Sequence, residues 1–274
     1  MIAHADEKQD AAGNGADDAQ KLWDDGELLR ELAASHRHFL RYEKTAGGDR
    51  LVEVFGELVG ARNVAVVVPG LDADARKGHD IGKGCQCVVS EQWVGNAERL
   101  WLNAALQSGH DNTATIAYLG YDAPRKTNVV SVNAAMNGAE EMQSDLSMWQ
   151  IPESKHLTLI GHSYGSTTLG YALGRGETAD DIAFVGSPGV GVFDIGSCDW
   201  MFETDCCPTS VGVSCFSGVA AHHSWVARFD EDPVPIYGGE GALGRPPDAD
   251  DFGAIEFHTE PPQCDDYFLS LIHI

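Results

Sequence analysis

Ser163 lies in a sequence pattern that is typical of a serine nucleophile held on a tight turn. Leu157–Ile160 favour a strand, Gly161–Gly165 spell Gly-His-Ser-Tyr-Gly, and Thr167–Leu173 form an apolar, small-residue run that favours a helix. A Gly-x-Ser-x-Gly motif between a strand and a helix is a nucleophile elbow, whose strained turn exposes the serine hydroxyl. The pattern predicts that a histidine takes the Ser163 proton while the serine oxygen attacks a carbonyl carbon. The alternative is an ordinary glycine-rich turn with an unreactive serine.

Two backbone amides are predicted to stabilise the negative charge that develops on the attacked carbonyl oxygen. The Tyr164 N–H lies at the start of the predicted helix, where negative charge is stabilised. The second donor is expected from a loop that follows an earlier buried strand. Because the apolar run Val64–Val68 stops at Pro69-Gly70-Leu71-Asp72, the Leu71 N–H is the candidate.

The acidic member of a catalytic triad is predicted just past a late strand. In serine hydrolases built on such an elbow, the triad follows the chain order serine, acid, histidine. Trp225–Phe229 has strand character and is followed by Asp230-Glu231-Asp232. Asp232 is therefore the predicted acid, with Asp230 second, and it would hold the imidazole in its working tautomer. The alternative is a solvated acidic turn.

The histidine base is the least defined member of the predicted triad. The last strand candidate, Ala254–His258, ends in a histidine, whereas the loop 259–266 that should carry the base contains none. His258 is the candidate base, although an alternating strand would equally expose it to solvent. His273 is the only later histidine.

The elements around these residues predict a mostly parallel sheet. Strand-like runs alternate with helix-like ones after residue 63, which is the rhythm of a parallel sheet flanked by helices. The first three strand-like runs are separated by glycine-containing turns and predict an antiparallel start to the sheet. The predicted helices are Asp18–Phe39, Ala97–Leu106 and Val132–Trp149, and the strands are Phe39–Lys44, Arg50–Phe55, Asn63–Val68, Thr115–Leu119, Asp181–Val185 and Ser224–Phe229.

The segment 193–223 interrupts this rhythm and is predicted to be a cysteine-containing, lid-like insertion. Four of the seven cysteines lie within it, at Cys198, Cys206, Cys207 and Cys215. Neither these adjacent and widely spaced cysteines nor Cys85 and Cys87 match the usual C-x₂₋₄-C zinc spacing, so free thiols or one or two disulfides are expected. His222 and His223 would point to opposite faces of an extended chain, which disfavours a metal site. We predict neither a metal nor a cofactor.

Length and composition favour one soluble domain. A 274-residue chain with 43% hydrophobic residues can bury a large core, and it contains no apolar run of the roughly 20 residues that a membrane span needs. The formal net charge of −24 disfavours nucleic acid and anionic membranes as partners. Residues 1–20 are polar, lack the apolar core of a secretory signal and are predicted to be a disordered lead-in. A soluble, cytoplasmic protein is favoured, and the oligomeric state stays open.

Seven segments of the chain, covering roughly residues 39–268, resemble a bacterial α/β-hydrolase family of unknown function. The resemblance is strongest around the elbow, and it implies an α/β-hydrolase fold with a Ser-Asp-His triad, carried here by Ser163 and Asp232. In that family a histidine precedes a Tyr-Phe pair by a few residues, and Cys264 stands about there in this chain. The matching segments are 63–70, 119–124, 157–166, 185–190, 232–234, 252–254 and 267–268.

The last six residues, 269–274, match an in-frame translation of a common sequencing-library transposon end. We expect them to be a non-native tail, which makes His273 an artefact and leaves 21–268 as a single hydrolase domain. The predicted function is a serine esterase or lipase-like hydrolase acting on a small-molecule ester or lipid-like substrate. Two alternatives stay open: an acyltransferase on the same fold, and a non-catalytic binding module that lost its histidine.

Overall fold

The computed structural model of the protein describes residues 38–45, 48–75, 93–125, 132–194, 206–207, 212–216, 219, 221–228 and 242–258. The chain divides into a short unit, Met1–His38, and a large unit, Phe39–Ile274. The predicted lead-in 1–20 and the tail 269–274 lie outside the described residues. So does the predicted helix Asp18–Phe39, except for its last two residues, which are in a strand instead.

Eight of the ten strands among the described residues follow the runs predicted from the sequence closely, whereas the two-residue strands Phe193–Asp194 and Cys206–Cys207 lie in the insertion and are not predicted as strands. Apolar residues dominate Asn63–Val68, Thr113–Leu119 and Asp181–Val185, whereas the edge strand His38–Lys44 is mostly polar. In chain order they are β1 His38–Lys44, β2 Asp49–Phe55, β3 Asn63–Val68, β4 Thr113–Leu119, β5 His156–His162, β6 Asp181–Val185, β7 Phe193–Asp194, β8 Cys206–Cys207, β9 Ser224–Arg228 and β10 Ile255–His258.

Eight of these strands form one mixed sheet in the order β1-β2-β4-β3-β5-β6-β9-β10. The pairs from β4 to β10 are all parallel, whereas β2 runs antiparallel to β4. The register aligns Val68 of β3 with Gly161 of β5, and His162 of β5 with Val185 of β6. Because these strands are parallel, the carboxyl ends of β3, β5, β6, β9 and β10 lie at the same end of the sheet.

The predicted antiparallel start of the sheet is wrong for its third strand. β3 does not pair with β2 but lies between β4 and β5, parallel to both. The physical reason is burial, since Val64 and Val66–Val68 are buried and such an apolar strand belongs in the sheet interior. The antiparallel contact is made by β2 with β4 instead.

Three helices of the described residues cover the sheet. They are α1 Trp93–Ser108, α2 Asn133–Trp149 and α3 Tyr164–Gly174. α1 packs on β4, α3 packs on β5, and α2 packs on α3. Every residue of β4 is buried, and so is every residue of α3 from Tyr164 to Leu173, which agrees with the apolar character of both sequences. None of the helices in the described ranges is both long and apolar enough to cross a membrane.

The insertion predicted at 193–223 is described only in part. Its β7 and β8 form a separate two-stranded parallel pair, and Cys215 is disulfide-bonded. The ring of Phe216 packs against Phe184 of β6 and against Phe252, with centroids 5.9 and 6.1 Å apart. The segment around Cys215 is therefore anchored on the sheet through an aromatic cluster. Cys198 lies outside the described residues.

Candidate active site

Ser163 occupies the turn between β5 and α3 in a backbone conformation that L-residues rarely adopt. Its φ is 51° and its ψ is −128°. The Ser163 N–H donates to the Val185 carbonyl of β6 at 2.9 Å, and the Ser163 carbonyl accepts the Ser166 N–H at 2.9 Å. Strain of this size persists only where surrounding contacts hold it, and it clusters at functional sites. The structure thus has the strand, strained serine and helix that the sequence predicts.

The two glycines of the motif allow the backbone segments around Ser163 to approach closely. A Cβ atom on Gly161 would lie 2.6 Å from the Ser166 Cα atom. A Cβ atom on Gly165 would overlap the Val68 carbonyl oxygen and lie 2.6 Å from that of Pro69. Any larger residue would therefore push β5, α3 and the end of β3 apart.

The loop that follows β3 passes directly against the serine. A Cβ atom on Gly70 would lie 2.6 Å from the Ser163 Cβ atom and 3.0 Å from its Oγ atom. Leu71 is the next residue, and within the described part of the chain its N–H donates no hydrogen bond. The structure therefore brings Ser163, Tyr164 and the loop that carries Leu71 to one end of the sheet.

Tyr164 is the first residue of α3, so its amide points toward the N-terminal end of the helix as the first N–H groups of a helix do. Its side chain is directed elsewhere. The Tyr164 hydroxyl oxygen accepts the Ala135 N–H of α2 at 3.2 Å. Burial raises the pKa of Tyr164 to about 12, so the phenol is neutral at physiological pH. The side chain thus joins α3 to α2, while the backbone remains at the serine.

Asp232 and Asp230 lie outside the described residues. The strand before them, β9, ends at Arg228 and lies beside β6, which in turn lies beside β5.

His258 is the last residue of β10 and pairs with Arg228 of β9. Three strand spacings separate β10 from β5, and at about 4.8 Å each they amount to about 14 Å. Proton transfer from Ser163 needs a histidine within about 3 Å of the serine oxygen. The backbone of His258 therefore lies three strands away from the strand that precedes Ser163.

Sequence reasoning gave no role to Tyr121, which contacts the loop beside the serine. The Tyr121 hydroxyl donates to the Pro69 carbonyl at 2.7 Å, and both groups are buried. The signal available in the sequence was a tyrosine placed directly after a buried strand, in the segment Leu119–Pro124.

The histidines at 222 and 223 lie at the opposite end of the sheet from Ser163. They are in a short 3₁₀-helix rather than an extended chain, and their ring centroids are 4.4 Å apart, so the expectation of opposite faces is wrong. The Nδ1 atom of His223 donates to Asp181 at 2.7 Å, and the Nε2 atom of His156 donates to the same carboxylate at 2.5 Å. Among the described residues, no group of three or more His, Cys, Asp or Glu side chains is arranged to hold a metal ion.

Asp181 lies between these two histidines, near the amino ends of β5 and β6. Partial burial acts to raise the pKa of its carboxyl, but the hydrogen bonds from His223 and His156 hold it below the ordinary value. The cluster therefore favours the ionised carboxylate in the folded protein.

Comparison with known proteins finds relatives in mycobacteria. An uncharacterized protein of Mycobacterium tuberculosis is 27% identical over 238 residues, which are 80% of this chain and 33% of the relative. An uncharacterized protein of Mycobacterium bovis is 31% identical over 180 residues, which are 63% of this chain and 65% of the relative. The chain thus spans about a third of the first relative and less than two thirds of the second.

Solved structures also show similarity. A dienelactone hydrolase-like promiscuous phosphotriesterase from metagenomic libraries aligns over 81% of both chains, with 12% identity and a TM-score of 0.44. The esterase RhEst1 from Rhodococcus sp. ECU1013 aligns over 58% of this chain and 48% of its own, with 17% identity and a TM-score of 0.33.

A family model described as Alpha/beta hydrolase matches residues 45–197, a stretch that runs from the second strand of the sheet past the serine turn. The eight-stranded, mostly parallel sheet with its helices agrees with that match. Because the match extends over more than half of the sequence, the chain belongs to the alpha/beta hydrolase family.

Proposed function

We propose that the protein is a serine hydrolase that cleaves carboxylic esters of small or lipid-like molecules through an acyl-enzyme. The observation that carries the proposal is the strained turn of Ser163, with φ 51° and ψ −128°, beside a loop whose Leu71 amide donates no hydrogen bond within the described residues. A strained serine at the end of a parallel strand, next to backbone donors, is the arrangement that acyl transfer requires.

In the proposed mechanism, the Ser163 Oγ atom attacks the ester carbonyl carbon while a histidine accepts its proton. The negative charge on the carbonyl oxygen is stabilised by the Tyr164 and Leu71 amides, and each such donor contributes about a hundred- to a thousandfold in rate. The histidine then protonates the departing alcohol and activates a water molecule that hydrolyses the acyl-enzyme. Asp232 orients the imidazole.

The test is labelling of the purified full chain with a fluorophosphonate, together with hydrolysis of p-nitrophenyl acetate and butyrate. Ser163→Ala should abolish both. Ser187→Ala is the matched control, because Ser187 is a 4% exposed serine just after the neighbouring strand β6, and it should keep both. Labelling that survives in Ser163→Ala would overturn the assignment of the nucleophile.

The base needs its own test, since β10 lies about 14 Å from β5. We propose His258 as the base. It would approach Ser163 when the last residues of β10 detach from β9. His258→Ala should then abolish hydrolysis, as Ser163→Ala does. Full activity in His258→Ala would show that a different group accepts the proton.

The binding-module alternative is favoured by one observation, the Cys264 that occupies the position of the family's histidine. It predicts a folded chain in which Ser163 reacts no faster with the fluorophosphonate than Ser187 does. Mass spectrometry of labelled peptides distinguishes the two. Adding a primary alcohol to the esterase assay and analysing the products for a new ester distinguishes a hydrolase from an acyltransferase.

We also propose that the insertion 193–223 acts as a lid that selects the substrate. The support is its anchorage next to the site: Phe216 packs on Phe184 of β6, the strand whose Val185 carbonyl accepts the Ser163 N–H. Because Cys215 is disulfide-bonded, reduction should loosen this segment. Acetate and butyrate ester hydrolysis before and after mild reduction measures the effect on chain-length preference.

A further inference from the structure

The loop 69–72 follows β3 and contains Leu71. Contacts that hold this loop in place therefore also hold the Leu71 amide. The loop lies against Ser163 through Gly70. The loop also contains strain of its own, since Asp72 has a φ of 56°, in the left-handed region. A backbone donor that stabilises an oxyanion must be in place before the reaction, because reorientation during the reaction would cost the energy that it supplies.

Two hydrogen bonds hold this loop, one on each side of Leu71. The Tyr121 hydroxyl donates to the Pro69 carbonyl at 2.7 Å, and the Asp72 N–H donates to the Pro124 carbonyl at 3.0 Å. Both partners come from the segment that follows β4, which is the strand next to β3. The segment after β4 therefore acts as a clamp on the loop.

Tyr121 is itself rigidly placed. Its side chain is 2% exposed, and α2 packs directly on its ring, because a Cβ atom on Gly138 would lie 2.8 Å from the Tyr121 Cδ2 atom. Burial raises the pKa of Tyr121 well above its ordinary value, so the hydroxyl stays protonated and remains a donor over the pH range of an esterase assay.

We propose that Tyr121 is a positioning residue, which acts through the Pro69 carbonyl to hold the Leu71 amide where it stabilises the oxyanion. The inference rests on the proposed function, because it concerns a donor of that same site. It assigns no contact between Tyr121 and the substrate. Tyr121→Phe should leave the Pro69 carbonyl without its buried donor and release the loop on one side.

The test compares Tyr121→Phe with Tyr118→Phe in the full chain. Tyr118 is a matched control, since it is a fully buried tyrosine of β4 whose hydroxyl donates to Asp145 at 3.1 Å, so the same substitution also removes one buried hydrogen bond. For p-nitrophenyl butyrate we expect kcat to fall about 10- to 100-fold in Tyr121→Phe, with KM nearly unchanged, because an oxyanion donor acts in the transition state. Tyr118→Phe should keep the wild-type kcat.

Amide hydrogen exchange of peptides covering 66–75 gives a readout that does not depend on turnover. Exchange in this loop should become at least severalfold faster in Tyr121→Phe and stay at the wild-type rate in Tyr118→Phe. Wild-type exchange in Tyr121→Phe, or an equal loss of kcat in both variants, would overturn the inference. A wild-type chain without Ser163-dependent hydrolysis would instead overturn the proposed function, and the positioning role of Tyr121 with it.

Discussion

The two ends of the sheet are held in place by different kinds of interaction. At the carboxyl end, Ser163 is held in a strained conformation by close backbone approach, with Gly161, Gly165 and Gly70 packed against their neighbours. At the amino end, polar side chains make the contacts: Asp181 accepts hydrogen bonds from two histidines. At the carboxyl end the Leu71 amide has no partner among the described residues, whereas at the amino end Asp181 and the two histidines satisfy one another.

The difference indicates which end of the sheet can support a chemical reaction. A cluster of polar side chains whose members are already hydrogen-bonded to one another contributes modest stability and offers little to a ligand. A strained serine lowers the stability of the fold. The backbone donor beside it can stabilise the negative charge that develops on an attacked carbonyl oxygen. The comparison predicts that substitutions at the carboxyl end change folding or activity strongly without pH dependence, and that those at the amino end change stability slightly and with pH.

The largest effect is expected from Gly165→Ala. The added methyl group would overlap the Val68 carbonyl oxygen, which belongs to a buried strand that cannot move without breaking the sheet. We expect the free energy of unfolding to fall by about 3 kcal/mol or more, as for severe overpacking. Urea unfolding followed by circular dichroism measures it.

Gly174→Ala is the control for that substitution. Gly174 ends the same helix, and a Cβ atom there would meet Val192 at an ordinary 3.7 Å. Alanine favours a helix over glycine by up to about 1 kcal/mol, so this variant should be as stable as wild type or more so. Equal stability of the two variants would contradict the role given to close approach.

A smaller effect on stability but a large effect on activity is expected from Gly70→Ala. The methyl group would meet the Ser163 Cβ and Oγ atoms, and the loop that carries Leu71 would have to move away. Displacing an oxyanion donor costs about a hundredfold in kcat/KM. Initial rates with p-nitrophenyl butyrate, taken beside the thermal midpoint, separate activity from stability.

Gly60→Ala serves as the control at the other end of the same strand. A Cβ atom on Gly60 would meet nothing closer than 3.8 Å, so its activity should equal that of wild type. If Gly70→Ala hydrolysed the ester as fast as Gly60→Ala, the loop would not contribute to the reaction.

The smallest effect is expected from Asp181→Asn, and it should depend on pH. The folded protein holds the pKa of Asp181 below its ordinary value of 3.8, so the carboxylate form stabilises the fold. That contribution is fully present above the ordinary value and is lost as pH falls through the lowered pKa. Wild type should exceed Asp181→Asn by about 1 kcal/mol at pH 7, and the difference should shrink as the pH falls below 3.8.

Denaturant unfolding of both proteins between pH 7 and pH 3 checks this prediction. Asp111→Asn is the control, because Asp111 is exposed, lies in the short 3₁₀-helix His110–Asn112 and is not the carboxylate that His156 and His223 bond. A pH-independent difference between wild type and Asp181→Asn would show that the ionised carboxylate is not the stabilising form.

The sequence predicts the strands of this protein well because each signal is local. Asn63–Val68 and Asp181–Val185 are bounded by turn residues, and the structure has the same bounds. The order of strands is not a local property, since hydrophobic periodicity indicates the type of an element and not its neighbour. The local signals therefore place β3 in the antiparallel start, although it lies inside the parallel part of the sheet.

The same distinction applies to the site. The turn of Ser163 is encoded within ten consecutive residues, so the motif alone predicts its conformation. The contact between Tyr121 and Pro69 joins residues 52 positions apart, and nothing in either segment indicates the other. The separation of His258 from Ser163 depends on how many strands lie between them, which only the sheet order reveals.

The hydrogen bond from the Ser163 amide to Val185 has a consequence for how the chain is made. The acceptor belongs to β6, which follows Ser163 in the sequence. During synthesis the serine leaves the ribosome before the strand that shapes its turn, and the pairing of β3 with β5 must first close the long intervening loop. The reactive conformation therefore cannot be completed before β6 has been made, and nascent chains that end before β6 lack the acceptor that holds it.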